Sequence, residues 1–569
     1  MNGHDGIATA THDAVPPAHE GPRETIESIV IALILAFVFR AFIVEAFVIP
    51  TGSMAPTLYG AHGTIVCEDC GTEFAYGLRD LDDVRRSMSV GPTARAICPN
   101  CNHPNSRLLI NDTYRNPETG DRILVLKWPF DVGGEILGPR RWDVVVFKDP
   151  ADGETNFIKR LIGLPNEVLM IIDGDVYTAP TSELSAETVA ALDEIRHEKY
   201  LLRTGQKKGN LAPVPMSVRE ELDRKARIVG KTPEAQEALW SVVYDHDYPP
   251  QTLEQGQPFW RADLGEESGW DTSGRRIHFE DRGQDDDFIE LAGKLIRATC
   301  AYNIRARSQP PLVSDQRIRF VLTPLTDEAV LKIRLTKGRQ AFWATVMMDG
   351  RVTLTESASG PGKTAKLDLT TRLPPFVRGK PVEISFENVD YRLAVRVGGK
   401  EVLASSSNPD DVAYYGPDIR WLRELARPWP ATWPRIYATG GLLELAHLRV
   451  DRDVYYYLDR HGGRALTLPW APRDGWASPL SPILLRSEEY FMLGDNTAAS
   501  KDSRLWDQVD PRFASRGEAF QLGTVPRDQL IGKAFFVYWP APNRVSWLKW
   551  LPLLKGAVIP DVGRMRWIR

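Results

Sequence analysis

The sequence contains two neighbouring apolar stretches, RWDVVVFK at residues 141–148 and NFIKRLIG at residues 156–163. The run of valines that ends in phenylalanine is typical of a buried strand, and the second stretch alternates as a strand does. Lys159 stands in this second strand among apolar neighbours. It either lies at a sheet edge and points to water, or it is buried, and burial would lower its pKa.

The whole chain has 569 residues, enough for about three or four domains. Charged residues make up 25% and the hydrophobic set 43%, so most of the chain can fold and bury cores. This composition excludes global disorder and collagen-like structure. The formal net charge of −5 gives no reason to expect a nucleic-acid partner. Five cysteines are too few for a disulfide scaffold.

A long apolar segment lies near the N-terminus. Residues 1–22 are polar and predict a disordered tail, whereas residues 29–39 are continuously apolar and are followed by Arg40 and Glu45. Because about 20 residues span the hydrocarbon, we predict a transmembrane helix at residues 23–49 with both charges near one interface. The alternatives are a buried helix of a soluble domain and a cleaved signal peptide, although a basic leading region and a clear cleavage site are missing.

Two polar motifs occur far apart in the chain. Directly after the predicted helix comes IPTGSMAPTL at residues 49–58, which places a serine in a turn rich in Gly and Pro. Residues 490–496 read YFMLGDN and residues 500–506 read SKDSRLW, an apolar strand followed by a polar loop. Taken singly, the first motif is an ordinary turn and the second an ordinary hydrogen-bonded loop.

Taken together and in this order, the three regions resemble bacterial type I signal peptidases. The family pattern is I-P-S-G-S-M-x-P-T-L, then I-K-R-x-x-G-L-P-G-D, then G-D-N-x-x-x-S-x-D-S-R. This chain reads IPTGSMAPTL, IKRLIGLPNE and GDNTAASKDSR, and residues 531–540 are similar to the family's final strand. The resemblance covers residues 23–64, 107–180 and 455–542. It implies a transmembrane helix followed by a β-rich catalytic domain on the outer face of the cytoplasmic membrane.

The resemblance implies catalytic roles for four residues. Ser53 is the expected nucleophile, and Lys159 is the expected general base, which can accept a proton only when its amine is uncharged. Thr51 stands where the family has its first serine, and its hydroxyl with the Ser53 N–H would hold the oxyanion. Ser500 would hydrogen-bond to the lysine and orient it. No histidine lies in these motifs, so nothing supports a Ser-His-Asp site.

The resemblance also implies supporting and substrate-binding residues. Asp502 and Arg504 match a supporting ion pair. The shallow apolar pockets for the small side chains one and three positions before the cut would be lined by Ile49, Pro50, Met54, Leu58, Phe157 and Ile158.

Four of the five cysteines form the pattern C-x2-C-x27-C-x2-C, at Cys67, Cys70, Cys98 and Cys101. Each pair can direct two thiolates at one ion, and four thiolates suit a tetrahedral, structural Zn²⁺ with no open position. We therefore predict a zinc-ribbon insert, with an extra helix over residues 78–86 in its spacer. Two disulfides or free thiols are the alternative, because oxidation competes with metal outside the cytoplasm.

A second insert begins where the resemblance stops, after Tyr177. Residues 185–245 have helical signals, and from residue 258 the apolar residues alternate with period two. Turn signals at Asp349-Gly350 and at Gly398-Gly399 support hairpins. We predict an antiparallel β-sandwich similar to concanavalin-like domains. Its ligand is unknown: a carbohydrate, a cell-wall component or a partner protein are open, as is a role as spacer or as a wall of the active-site cleft.

The predicted fold is mainly β. Near the C-terminus, residues 547–555 combine Trp, Leu and Lys, which suits an interfacial membrane anchor or packing against the domain. The predicted domains are a disordered tail at residues 1–22, a transmembrane helix at 23–49, catalytic segments at 50–64, 107–180 and 455–569, a zinc-ribbon insert at 65–106, a helical connector at 181–257 and a sandwich insert at 258–454.

The sequence therefore predicts a single-pass, membrane-bound serine endopeptidase that cleaves signal peptides from exported preproteins on the periplasmic side. Its partners would be these signal peptides and the lipid bilayer, its zinc would be structural, and catalysis would need no cofactor. The alternatives are a membrane-tethered binding protein with a vestigial peptidase core and a self-cleaving Ser/Lys regulator.

Overall fold

A computed structural model describes most of the chain. The described residues are 22–77, 96–105, 118–131, 137–251, 259–285, 287–303, 310–338, 340–357, 367–406, 419, 433–458, 475–540, 543–544, 558–559 and 562–568. Residues 1–21 of the predicted tail, the predicted helix at 78–86 and the predicted anchor at 547–555 lie outside them.

The helices are few among the described residues, and three of them have a side-chain N-terminal cap, which in two cases is a hydroxyl. Their bounds are α1 (Pro22–Val38), α2 (Trp128–Asp131), α3 (Ala186–Arg203), α4 (Met216–Lys225), α5 (Pro233–Leu239) and α6 (Pro511–Ala514). The hydroxyls of Ser185 and Thr232 accept hydrogen bonds from backbone N–H groups in the first turns of α3 and α5, so these side chains help to set where each helix begins.

The strands dominate the described residues and are numbered along the chain. The first are β1 (Val44–Val48), β2 (His62–Val66), β3 (Glu73–Gly77), β4 (Arg122–Leu126), β5 (Val144–Lys148), β6 (Asn156–Gly163), β7 (Glu167–Ile172), β8 (Asp175–Pro180) and β9 (Arg227–Ile228). The middle of the chain has β10 (Ser241–Asp245), β11 (Trp260–Ala262), β12 (Trp270–Asp271), β13 (Ile277–Glu280), β14 (Phe288–Leu291), β15 (Gln316–Pro324), β16 (Val330–Lys337), β17 (Gln340–Met347), β18 (Arg351–Glu356), β19 (Asp368–Arg372), β20 (Val382–Val389), β21 (Arg392–Val397), β22 (Lys400–Ala404), β23 (Arg435–Thr439) and β24 (Leu442–Arg452). The last are β25 (Ile483–Leu485), β26 (Glu489–Leu493), β27 (Val525–Pro526), β28 (Leu530–Trp539), β29 (Asn543–Arg544), β30 (Val558–Ile559) and β31 (Arg566–Trp567).

One antiparallel sheet gathers strands from both ends of the chain. Its order is β1-β4-β28-β5-β6-β26-β27, and β31 pairs with β28. Lys159 on β6 lies opposite Val145 on β5, and Arg160 lies opposite Leu493 on β26. The next strand in the chain after β6 is β7, which belongs to a separate, smaller sheet of order β25-β7-β8-β9. The sheet thus brings the serine-bearing segment, the lysine strand and the polar loop after β26 to one place.

The predicted transmembrane helix at residues 23–49 is too long. Helix α1 ends at Val38, residues 39–43 form a π-helical turn, and residues 44–48 are strand β1, paired with β4. The β-branched and aromatic side chains of Val44, Phe47 and Val48 suit a half-buried strand, and the sheet satisfies their backbone groups. Along the described residues, no helix combines the length and the mean hydropathy that crossing a membrane requires.

The middle of the chain forms two antiparallel sheets around one apolar core. One sheet has the order β12-β13-β24-β15-β20-β21-β22, with β10 against β24, and the other has the order β11-β14-β23-β16-β17-β18-β19. Their facing side chains, such as Phe320, Phe342 and Phe386, are fully or almost fully buried. This arrangement agrees with the antiparallel sandwich that the period-two pattern predicts.

Buried charges join the sandwich to the smaller sheet. Lys337 on β16 contacts Asp315 and Asp175, the latter at 3.4 Å, and Lys231 contacts Asp390 at 2.6 Å. Since a buried charge is costly unless it is paired, these ion pairs favour contact between the sandwich and the smaller sheet.

Candidate active site

Ser53 lies in a short helical turn that follows β1. The turn covers Gly52–Met54, and backbone hydrogen bonds fix the chain before and after it. The backbone N–H of Ile49 donates to the carbonyl of Asp121 at 2.9 Å, and that of Leu58 donates to the carbonyl of Met54 at 2.9 Å. Ser53 itself is half-buried. The turn therefore presents the hydroxyl to its neighbours from a fixed backbone.

Lys159 reaches this hydroxyl from the adjacent part of the sheet. Its Nζ lies 2.7 Å from Ser53 Oγ and also donates to the carbonyl oxygen of Ile158 at 3.0 Å. The Phe157 ring centroid lies 5.0 Å from the same nitrogen. Lys159 is 4% exposed, so the sheet-edge alternative does not apply. The structure thus places the predicted nucleophile and the predicted base in direct contact.

The environment of Lys159 favours its uncharged form. Burial lowers the pKa of Lys159 to about 8, although the carboxylates of Asp502, Asp149 and Asp495 act in the opposite direction. With that value, about a tenth of the amine is neutral at pH 7. A neutral amine in contact with a hydroxyl can take its proton, which is what general-base activation of a serine requires.

Ser500 lies beside the turn but does not make the predicted hydrogen bond to Lys159. It is fully buried, and the two hydrogen bonds found for the amine go to Ser53 and Ile158. A Cβ built on Gly494 would lie 2.2 Å from Ser500 Oγ and 2.5 Å from the carbonyl oxygen of Ser53. Gly494 therefore allows the polar loop to approach the nucleophile's backbone, and the role of Ser500 stays a prediction.

Asp502 and Arg504 form the ion pair that the motif predicts. Arg504 Nε and Nη2 donate to the two carboxylate oxygens of Asp502 at 2.9 and 2.7 Å, and both side chains are buried. Burial alone would raise the pKa of Asp502, but the guanidinium lowers it below its usual range. The ionised Asp502 also accepts the N–H of Gly494 at 3.0 Å, so the pair shapes the loop beside Ser53.

A second buried ion pair was not anticipated from the sequence. Arg160 and Asp495 belong to two of the motifs, and Arg160 donates to both carboxylate oxygens at 2.8 and 2.7 Å. Thr57, from the serine motif, donates its hydroxyl to Asp495 at 2.6 Å. The pair thus connects all three motifs. The sequence signal for this pair was one charged residue in each of two motifs, Arg160 in IKR and Asp495 in GDN. Which residues pair, however, depends on the strand register between β6 and β26.

Replacing Arg160 with methionine is expected to lower the free energy of unfolding by about 3–5 kcal/mol, because Asp495 would stay buried without its counter-ion. Chemical denaturation of the purified chain measures the change. Arg512→Met is the matched control, since the ion pair of Arg512 with Asp510 is exposed to solvent and should contribute little to the free energy of unfolding. Equal losses in the two variants would contradict this role of Arg160.

The predicted substrate pockets are closed in this structure. Met54 and Leu58 have no exposed surface, and Ile49 and Ile158 are almost completely buried in the same apolar cluster. Apolar side chains on a turn next to a sheet gain more from packing against it than from lining open space. Among the predicted pocket residues, exposed surface remains at Pro50 and Phe157. Thr51 is also exposed and precedes the turn without capping it.

The four cysteines of the two C-x-x-C pairs converge at the turn of the hairpin β2–β3, which contains Cys67 and Cys70. Their sulfur atoms all lie within 4.8 Å of one another, and Cys67–Cys101 and Cys70–Cys98 are separated by 3.5 and 3.6 Å. None of them is in a disulfide. In tetrahedral zinc sites the metal–sulfur distance of about 2.3 Å places the sulfur atoms about 3.8 Å apart. The donor set therefore fits one zinc ion.

Comparisons with known proteins match the segments that contain the three motifs. A family model described as signal peptidase, peptidase S26, matches residues 22–215 and 466–539, which contain all three motifs. Over these segments the chain is similar to signal peptidases, and the match supports a peptidase, a hydrolase. The intervening segment between residues 215 and 466 lies outside the match.

The curated relatives are signal peptidases I. That of Rickettsia bellii (strain OSU 85-389) is 27% identical over 153 residues, which are 26% of this chain and 37% of the relative. That of Pseudomonas fluorescens is 27% identical over 184 residues, which are 29% of this chain and 47% of the relative. The chain thus spans less than half the length of each of these two relatives.

A solved structure, the laminarinase from Rhodothermus marinus, is 14% identical, with 38% of this chain and 98% of that chain covered and a TM-score of 0.25. A TM-score of this size identifies neither the fold nor the ligand of the sandwich.

Proposed function

We propose that the chain is a serine endopeptidase that removes signal peptides from exported preproteins. The observation that carries the proposal is the contact of 2.7 Å between Ser53 Oγ and the buried amine of Lys159. The matches to signal peptidases over the same segments supply the substrate class.

The proposed reaction has two steps. In the first, neutral Lys159 takes the proton of Ser53, whose oxygen attacks the scissile carbonyl, while the Thr51 hydroxyl and the Ser53 N–H stabilise the oxyanion. The ammonium then protonates the departing amine, which is the new N-terminus of the mature protein. In the second step, Lys159 takes a proton from water and the hydroxide attacks the acyl-enzyme. The bond to Ser53 Oγ then breaks, the ammonium of Lys159 returns the proton to this oxygen, and the signal peptide leaves with a free carboxylate.

The proposed location is the outer face of the cytoplasmic membrane. Helix α1 exposes apolar side chains along its length, among them Ile29, Leu35 and Phe37, and leads through β1 directly into the turn of Ser53. Apolar residues exposed along one helix suit hydrocarbon contact. An active site this close to the bilayer would meet the preprotein where its signal peptide leaves the lipid.

We also propose one structural Zn²⁺ bound by Cys67, Cys70, Cys98 and Cys101. With four thiolates the coordination shell is complete, so the ion would stabilise the segment and leave no position for water or substrate. Catalysis would use only the chain's own residues.

The direct test is cleavage of a preprotein with small residues one and three positions before the cut, by the full chain in detergent. We expect one cut at the end of the signal peptide, located by mass spectrometry. Binding of the preprotein without cleavage would contradict the proposal and favour the membrane-tethered binding protein with a vestigial core.

The pH dependence of cleavage tests the base. Only the neutral form of Lys159 is active, so kcat/KM is expected to rise with pH and to level off above about pH 8, the value to which burial lowers the pKa. Between pH 7 and pH 6 the rate should fall about tenfold, because the amine becomes protonated. A profile that keeps rising to about pH 10, as for a hydrated lysine, would contradict the buried base.

A further inference from the structure

One residue of the polar loop binds two backbone carbonyls in the turn of Ser53. The N–H of Asn496 donates to the carbonyl oxygen of Ser53 at 3.0 Å, and its Nδ2 donates to that of Gly52 at 2.9 Å. Asn496 is 1% exposed, so water does not compete for these bonds. Because the direction of the Ser53 side chain depends on the backbone of its turn, Asn496 helps to fix where Oγ meets Lys159.

The orientation of the Asn496 amide is in turn set from the sandwich. Asn303 lies in the connection between β14 and β15, outside the segments that match signal peptidases. Its Nδ2 donates to Asn496 Oδ1 at 2.7 Å, and its Oδ1 accepts from Asn496 Nδ2 at 2.9 Å. The reciprocal pair and the Gly52 carbonyl favour the same orientation of the Asn496 amide, since an Asn496 amide flipped by itself would face Asn303 oxygen with oxygen and nitrogen with nitrogen.

The preceding residue of the sandwich packs directly on the same turn. A Cβ built on Gly52 would lie 1.9 Å from Cε1 of Tyr302, and one built on Gly77 would lie 2.0 Å from the same atom. The Tyr302 ring therefore occupies the space between these glycines. Its hydroxyl donates to the carbonyl of Ala61 at 2.8 Å, and its carbonyl accepts from the N–H of Gly77 at 2.7 Å.

We infer that Asn303 is a positioning residue for the nucleophile, acting through Asn496, and that the inserted sandwich is thereby part of the catalytic site. The inference rests on the proposed function. It assigns the sandwich a task that needs no ligand: its Tyr302–Asn303 segment packs on the turn of Ser53 and binds Asn496, which holds that turn. A reaction that depends on the approach of one oxygen to one carbonyl is sensitive to displacements of this turn.

Asn303→Ala is the primary test, in the full chain in detergent. We expect kcat for preprotein cleavage to fall about 10–100-fold, with KM changed less than about threefold, because the turn is displaced while the substrate surface is kept. The apparent pKa at which kcat/KM rises with pH should stay near 8. Tyr455→Phe is the matched control: it also removes one hydrogen bond between distant segments, from Tyr455 to Asp173 at 2.8 Å, whereas the described hydroxyl contact involves neither Asn496 nor the turn of Ser53, and it should keep kcat.

A second measurement separates this inference from the substrate proposal. A fluorophosphonate reacts with an activated serine, forming the oxygen–phosphorus bond and releasing fluoride, and needs no signal-peptide recognition. Ser53 of the unaltered chain should be labelled, and in Asn303→Ala the labelling rate should fall in parallel with kcat while the melting temperature stays within about 2 °C.

The possible outcomes distinguish the proposed substrate class from the inferred role of Asn303. Labelling of Ser53 without preprotein cleavage would contradict the substrate class, and the labelling rate of Asn303→Ala would still decide the role of Asn303. Unchanged kcat and labelling in that variant would overturn the inference, as would an equal loss in Tyr455→Phe. A chain in which Ser53 neither cleaves nor is labelled would contradict both.

Discussion

Replacing Ser53 with alanine, or Lys159 with alanine, is expected to lower kcat/KM for preprotein cleavage by about 10³-fold or more. The first change removes the oxygen that forms the acyl-enzyme. The second removes the amine that takes this proton and that lies 2.7 Å from Ser53 Oγ. Among the described hydrogen bonds, no other basic side chain contacts this oxygen. Quantitative cleavage assays with the detergent-solubilised chain measure both losses, and the double variant should be no less active than either single variant, since the two groups act as one unit.

Lys199→Ala provides the matched control for Lys159. Burial also lowers the pKa of Lys199 to about 8, and its Nζ lies 4.9 Å from the ring centroid of Trp476. Lys199 does not contact the turn of Ser53, so its removal should leave cleavage within about twofold. Full activity in Ser53→Ala or Lys159→Ala would end the assignment of this pair. A loss of the same size in Lys199→Ala would show that any buried lysine matters and that contact with Ser53 does not.

Removing the zinc ligands is expected to have the second largest effect. The purified chain should contain one zinc per molecule, and Cys98→Ser should lose it, because a serine hydroxyl is a poor replacement for a thiolate. Structural zinc contributes about 10–16 kcal/mol of apparent binding free energy in small zinc-finger peptides, so the loss should expose the hairpin β2–β3 to proteolysis. Metal analysis and limited proteolysis measure the two effects.

The fifth cysteine supplies the control. Cys300 lies outside the group of four, and Cys300→Ser should keep the zinc. Cys98→Ser should also reduce cleavage, since Gly77 at the end of β3 binds the carbonyl of Tyr302 at 2.7 Å and the Tyr302 ring packs on Gly52. Metal-free protein with the four cysteines oxidised in two disulfides would overturn the zinc proposal.

Much of the candidate site could be predicted from local sequence patterns. The contact of Ser53 with Lys159 and the ion pair of Asp502 with Arg504 follow from motifs whose residues are close in the chain or whose order matches a known pattern. The period-two alternation after residue 258 predicted two antiparallel sheets, because side chains on successive strand positions point to opposite faces. The alternation is a short-range regularity of the sequence, whereas the meeting of Ser53 and Lys159, which are 106 positions apart, was implied by the resemblance in motif order.

Other features depend on contacts between distant segments. The end of α1 at Val38 is decided by β4, which pairs with residues 44–48 and takes them out of the predicted helix. The partner of Arg160 is decided by the register of β26 against β6. The missing bond between Ser500 and Lys159, and the burial of Met54 and Leu58, are likewise decided by packing around the turn.

By itself, the sequence determined the chemistry of this protein: a serine, a lysine among apolar residues, an acidic–basic loop and four thiols in two pairs. Only the tertiary structure decided that a residue 250 positions after the nucleophile, Asn303, orients the amide that holds the nucleophile's turn. The reason is physical: the identity of a side chain sets what it can donate, accept or titrate, whereas the distance and direction of its partner are set by how separate strands pack.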